Sequence, residues 1–197
     1  MRMMLRVSMA AVALALGGCA LLGGGPKPPP WLLTLEPSAP APESVVRSAN
    51  AGEAVTIEVP VIPKELRSVR VPAQVGETAV AYIKDLQWVD TPDRLFQDLL
   101  EETVLRTTSR VVIDPKQSNL DPGLVVTGRL SSFGYEAGQG NVLVRYDAAL
   151  STAGGTRVET RRFEARAPAD GTASTVGPAL NTAANQVALQ VAQWIGG

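Results

Sequence analysis

Asn141-Val142-Leu143-Val144-Arg145-Tyr146-Asp147-Ala148-Ala149-Leu150-Ser151 is the stretch that decides the fold. Val142, Val144, Tyr146, Ala148 and Leu150 recur at every second position, the period of a strand with one buried face. Comparable runs flank it at Leu124–Glu136 and at residues 157–167. The connections, around Gly138-Gln139-Gly140-Asn141 and Ala153-Gly154-Gly155, are rich in glycine, as hairpin turns require. The three runs read as an antiparallel meander. Gly138-x-Gly140 also has the look of a phosphate loop, but it opens onto a strand and lacks a third glycine, so the hairpin reading prevails.

Working outward, the period changes from two to about 3.6 on the C-terminal side. Val176, Leu180, Ala184, Val187, Val191 and Trp194 or Ile195 form one stripe over residues 174–195, which predicts an amphipathic helix ended by Gly196. On the N-terminal side Thr91-Pro92-Asp93 announces another helix, with Thr91 as N-cap, Pro92 at the first helical position and Asp93 complementing the dipole. Leu95, Phe96, Leu99, Leu100 and Val104 make its apolar stripe, while Asp98, Glu101 and Glu102 lie on a solvated face. Residues 54–59 alternate strictly until Pro60, and further strands are predicted at 69–71, 78–83 continuing to Val89, and 110–114. The order of elements predicts an α+β fold. It is a two-layer sandwich, a mostly antiparallel sheet with two amphipathic helices packed on one face.

The first fifty residues differ in kind. Arg2 and Arg6 precede a ten-residue apolar run, residues 7–16, too short to cross about 30 Å of hydrocarbon but suited to a signal peptide. Leu16-Gly17-Gly18-Cys19 follows and resembles the bacterial lipobox: an aliphatic residue three before the cysteine, with small residues between. That likeness implies lipidation of Cys19, with palmitate or a similar acyl chain, after removal of residues 1–18. The plainer alternative is a secretory leader followed by an idle thiol. Ala20 follows the cysteine, which favours the outer membrane over the inner one. Seven of the fifteen prolines fall between 26 and 42, so residues 19–50 read as a lipidated Pro-rich tether preceding a domain at 51–197. Trp31-Leu32-Leu33-Thr34-Leu35 is too apolar for a spacer and reads as an arm that docks on the domain or on a neighbouring subunit.

Composition removes much of chemistry. The 197 residues are 45% apolar and 19% charged with a net charge of −1, against the basic excess that nucleic-acid binding needs. There is no histidine, which excludes Ser/His/Asp triads and His-bound zinc, and one cysteine, which excludes an internal disulfide. No metal, cofactor or catalytic residue is expected, and the chain reads as a non-enzyme. Arg157, Arg161, Arg162 and Arg166 alternate with Glu159 and Glu164 and read as cross-strand ion pairs, with a lipid-phosphate patch as the alternative. Trp88 and Trp194 read as core anchors. Trp88 and the arm's Trp31 are also candidates for an interface, where tryptophan is enriched.

Val80-Ala81-Tyr82-Ile83, Gln87-Trp88-Val89-Asp90-Thr91-Pro92 and Leu95-Phe96-Gln97-Asp98-Leu99-Leu100 together resemble the ABC-type transport auxiliary lipoproteins, which accompany MCE-domain lipid-transport systems. Val59-Pro60, Pro63-Lys64-Glu65-Leu66 and Arg162-Phe163-Glu164-Ala165 extend the resemblance over residues 31–195, although Gln87 stands where the family usually has arginine. The resemblance implies a periplasm-facing outer-membrane lipoprotein. Its partners would be an MCE-domain protein and an inner-membrane ABC transporter's permease and ATPase, with a homo-oligomer as a further expectation. The other readings are an activator or assembly factor of the cell envelope and a direct lipid carrier.

Overall fold

Strand periodicity needs a hydrogen-bonded neighbour and an apolar layer on one face, and the chain supplies both. Within the described residues, 29–42, 46–114, 121–152 and 155–196 of the computed structural model, the elements come in one order. They are β1 (Val55–Ile57), a 3₁₀ turn (Lys64–Leu66), β2 (Arg70–Gly76), β3 (Ala79–Gln87), α1 (Pro92–Thr107), β4 (Leu124–Glu136), β5 (Asn141–Thr152), β6 (Val158–Pro168) and α2 (Ala173–Gly196). The sheet runs β3-β2-β4-β5-β6, with β1 added beside β4.

The predicted meander is β4-β5-β6, paired antiparallel from Glu136↔Asn141 to Leu124↔Thr152 and from Asn141↔Pro168 to Ser151↔Val158. Its first hairpin is closed by Gly140 at φ +63°, a left-handed conformation that glycine adopts without steric cost. β5 occupies one edge of β4 throughout. The other edge is shared by two parallel partners, β1 at Val55↔Leu124 through Ile57↔Val126 and β2 at Ala73↔Tyr135 and Gln74↔Glu136. Parallel pairing on part of β4 makes the sheet mixed, yet most of its ladders are antiparallel.

Both helices cover one face. Val142, Val144, Tyr146 and Ala148 of β5 and Phe163, Ala165 and Ala167 of β6 are buried beneath them. Phe96 of α1 meets Tyr146 and Phe133 at 5.3 and 6.4 Å, and Trp88 meets Phe133 at 5.4 Å. Leu95, Phe96, Leu99, Leu100 and Val104 are buried, as are Val176, Leu180, Ala184, Val187, Val191 and Ile195 of α2. Burying each large apolar side chain contributes about 1.5–3 kcal/mol.

Four expectations are corrected. The strand at 54–59 shortens to β1, because Pro60 and exposed Val59 leave the ladder. Residues 110–114 add only a single bridge, Val112 to Val55. Thr91 occupies the N-cap position with extended φ and ψ, but its side chain caps nothing; Asp90 Oδ1 accepts the Thr91 N–H at 2.6 Å instead. The folded unit begins at Trp31 and not at 51, because Leu33 and Leu35 give the arm apolar side chains to bury.

Candidate functional site

From Leu33 to Glu36 the arm alternates apolar and polar residues, and its placement follows from that. Leu33 joins the sheet in parallel beside Trp88: its N–H donates to the Gln87 carbonyl at 2.7 Å, and its own carbonyl accepts from Val89 N–H at 2.8 Å. The Leu33 side chain rests over Gly177 of α2, where a Cβ would come within 2.8 Å of Cδ2. Leu35 is buried in the core.

Beyond Leu35 the arm runs along α2, held by two asparagines one helical turn apart. Asn181 Oδ1 accepts from Glu36 N–H at 2.9 Å, and Asn185 Oδ1 accepts from Ser38 N–H at 2.7 Å. Asn185 Nδ2 donates to the carbonyls of Glu36 and Asn181, each at 2.9 Å. A buried amide satisfied on both its oxygen and its nitrogen avoids the 1–3 kcal/mol or so that an orphaned one costs. Arg106 of α1 donates through Nη1 to the Ala39 carbonyl at 2.7 Å while its Nε pairs with Glu102 at 2.7 Å. Further on, Arg47 donates to the carbonyls of Leu105 and Arg110, close to the end of α1, where unsatisfied carbonyls favour a cation.

Of the residues that sequence reasoning singled out, Trp31 is 48% exposed, with Leu32 and Val89 similarly open. Trp88 is corrected as an interface candidate. It is 1% exposed and packs on Phe133, so it has no surface to offer. Trp194 is half-buried against Phe163, and its Nε1 donates to Glu159 Oε1 at 2.8 Å. Cys19 lies outside the described residues. Sequence reasoning missed Asn181, Asn185 and Gly177. Their one signal is that α2 spans 24 residues without a single charge, with an asparagine, Asn185, inside its apolar stripe beside Ala184.

The face of the sheet away from the helices is lined by ion pairs. Arg145 pairs with Glu164 at 2.8 Å, Arg166 with Glu136 at 2.7 Å, and Arg162 with Asp147. The Arg162 hydrogen bond, helped by Ser131, holds the Asp147 carboxyl below its usual range, and Arg145 does the same for Glu164. Arg161 instead lies over the Phe163 ring. Beside the 3₁₀ turn, over the part of the sheet where β2 and β4 meet, lies a notch of about 170 Å³. Glu65, Leu66, Pro72, Val80, Ser132 and Gly134 are among its lining residues. Among the described residues no group of three or more His, Cys, Asp or Glu is placed to hold a metal ion, and no helix is long and apolar enough to cross a membrane.

The sequence matches the family model for the ABC-type transport auxiliary lipoprotein component over residues 33–192. No curated protein matches it. Among solved structures it is similar to a Xanthomonas campestris protein of family DUF330, with a TM-score of 0.63, 15% identity, and coverage of 85% of this chain and 92% of that one. A second crystal structure, of an uncharacterised protein, gives a TM-score of 0.59 at 15% identity, covering 76% of this chain and 96% of that one. At such identity the likeness is one of fold.

Proposed function

This chain belongs to the ABC-type transport auxiliary lipoprotein family, and on that premise we propose that it is a non-catalytic docking subunit. It is anchored by lipid at Cys19 in the outer membrane, faces the periplasm, and serves an MCE-type intermembrane lipid-transport system. The observation that carries this reading is the arm. A lipobox cysteine stands twelve residues before Trp31, and from Leu33 onward the chain is fastened to α2 and the sheet. A membrane anchor at that end would therefore be coupled to the folded unit itself.

The polar groups support binding more than turnover. The carboxyls of Asp147 and Glu164 are pulled down by arginines on neighbouring strands, and each sits in a structural ion pair. The space between sheet and helices is filled ring to ring by Trp88, Phe133, Phe96 and Tyr146, which favours a docking module over a carrier that would enclose an acyl chain. ATP hydrolysis would belong to a partner, since the sequence has no Walker motif.

Two measurements test the reading. Cys19→Ala should abolish incorporation of a fatty-acid analogue and release the protein from membranes; equal labelling of both forms would defeat the anchor. Crosslinking and co-purification from cells carrying the full chain should recover the MCE protein or its transporter. Recovery of a cell-wall synthase alone, with lipid traffic unchanged in a deletion strain, would replace this function with the activator reading.

A further inference from the structure

The two outer strands of the sheet are built differently. β6 carries Glu159, Arg161, Arg162, Glu164 and Arg166 and ends at Pro168, the charges and proline with which proteins protect a free strand edge from pairing with another chain. β3 begins Ala79-Val80-Ala81-Tyr82-Ile83, with no charge in the run. Val80 is 44% exposed, and Ala79 and Ala81 are exposed beside it. The charged residues of β3, Lys84 and Asp85, sit together in a bulge: β2 advances from Arg70 to Pro72 while β3 takes five residues, Gln87 back to Tyr82. Asp85 stands there at φ +57°.

The ladder also fixes which backbone groups of β3 are free. Pro72 faces Tyr82, and proline has no N–H to donate, so this is a non-hydrogen-bonded pair whose amide groups turn away from each other. The neighbouring Gln74↔Val80 pair is of the same kind, since the Gln74 carbonyl is turned to β4 and accepts from Ala137 N–H at 3.0 Å. The N–H and C=O of Val80 and Tyr82 therefore point to the edge that no strand among the described residues covers. Past the bulge the same edge does accept a strand: the arm's Leu33 bonds Gln87 and Val89. Among the described residues the arm offers no further donor toward Val80 beyond Trp31, since Pro29 and Pro30 lack N–H groups.

We infer that the Ala79–Ile83 edge of β3 is a docking site for an extended segment of another protein. The segment adds as a strand, uncharged at the positions that flank Val80, with its backbone bonded to Val80 and Tyr82. Pairing of this kind draws affinity from main-chain bonds and specificity from alternate side chains. That the segment comes from a subunit of the transport assembly rests on the function proposed above; the open edge does not.

The test places a photo-crosslinking amino acid at Ala81 or, as a control on β6, at Thr160 in the full-length protein in cells, and identifies adducts by mass. The expected result is an adduct at Ala81 with a periplasmic segment of the transporter or its MCE protein, and none at Thr160. Val80→Pro deletes only an outward N–H, and Val80→Lys adds a guarding charge; both should lose the adduct while the unfolding temperature is kept. If Val80→Pro fails to fold, Val80→Lys alone decides. An adduct between two copies of the chain, or with lipid, overturns the inference. So does co-purification of the transport subunit with no Ala81 adduct, which leaves the docking function standing. Absence of both adduct and co-purification overturns the inference and the docking function together.

Discussion

The two helices lie on the same face of one sheet but use their polar groups in opposite ways. α1 is a conventional amphipath: Leu95, Phe96, Leu99, Leu100 and Val104 are buried, while Arg94, Asp98, Glu101 and Glu102 lie off that stripe. Around it several buried polar atoms have no partner among the described residues, namely Thr103 Oγ1, Trp88 Nε1 and the Tyr146 hydroxyl beneath Phe96. α2 has no charge, and its one buried polar side chain, Asn185, is satisfied by the arm and by its own helix. α1 plugs the core; α2 plugs the core and grips a strap. Amphipathic spacing describes the first role and says little about the second.

The largest effects should be shared by both helices. Leu99→Ala and Leu180→Ala remove side chains that are 2% and 0% exposed, and each should cost about 2–5 kcal/mol in urea denaturation. A cost below 1 kcal/mol or so at Leu180 would show that α2 is not a core helix at all. Next comes the clamp. Asn185→Ala strands the Ser38 N–H and Glu36 carbonyl and should cost about 1–3 kcal/mol. Faster hydrogen exchange should appear at Ser38, with Leu99 and the rest of α1 unchanged. Uniform acceleration across both helices would dissolve the distinction between them.

A smaller effect of reversed sign is expected under α1. Tyr146→Phe removes a buried hydroxyl without a partner, whose pKa burial alone pushes upward, so stability should hold or rise by up to about 1 kcal/mol. A loss of that size would mean the hydroxyl is bonded after all.

Acid should sharpen the contrast further. Asp170, just before α2, accepts from the hydroxyls of Thr175 and Thr172 and from Thr172 N–H, and its pKa is pulled down to about 2. Its stabilisation is complete above the ordinary carboxylate range and disappears as pH falls toward 2. Asp170→Asn should therefore lower the unfolding temperature at pH 6 and match the native chain near pH 2. On α1, burial, then Asp98 and Asp114, raise the pKa of Glu101. Its ionised form is disfavoured, and the strain is relieved as pH falls. Glu101→Gln should be neutral to slightly stabilising at pH 7, within about 0.5 kcal/mol, and that small gain should vanish in acid.

What the sequence made legible was what local period encodes. β4, β5 and β6 fall within a residue or so of the runs read from alternation, and α2 within one residue of its stripe; α1 starts at Pro92 as read and runs three residues past Val104, the end of its stripe. The family likeness carried in residues 80–100 agrees with the match over residues 33–192. The parallel ladders of β1 and β2 on β4 were not legible, because strand order depends on pairings between residues some seventy positions apart. Nor were Asn181 and Asn185, whose partners lie about 145 residues away and whose spacing looks like an ordinary polar face. The ion pairs were half legible. Arg162 and Arg166 needed acids, but the acids are Asp147 on the adjacent β5 and Glu136 at the end of β4, one strand further, and not the glutamates interleaved with them.

The asparagine clamp has a geometric consequence. For a chain held in a membrane at Cys19, as proposed, the leash is the stretch up to the first fastened residue. The fourteen residues from Cys19 to Leu33 span at most about 50 Å fully extended. Were the strap to peel from α2 and release residues 31–50, the same leash would lengthen to about 110 Å at full extension. The asparagine clamp, with the Leu33 bridge and the arginines that hold the same strap, thereby sets whether the domain sweeps a shell close to its own membrane or a volume about twice as deep.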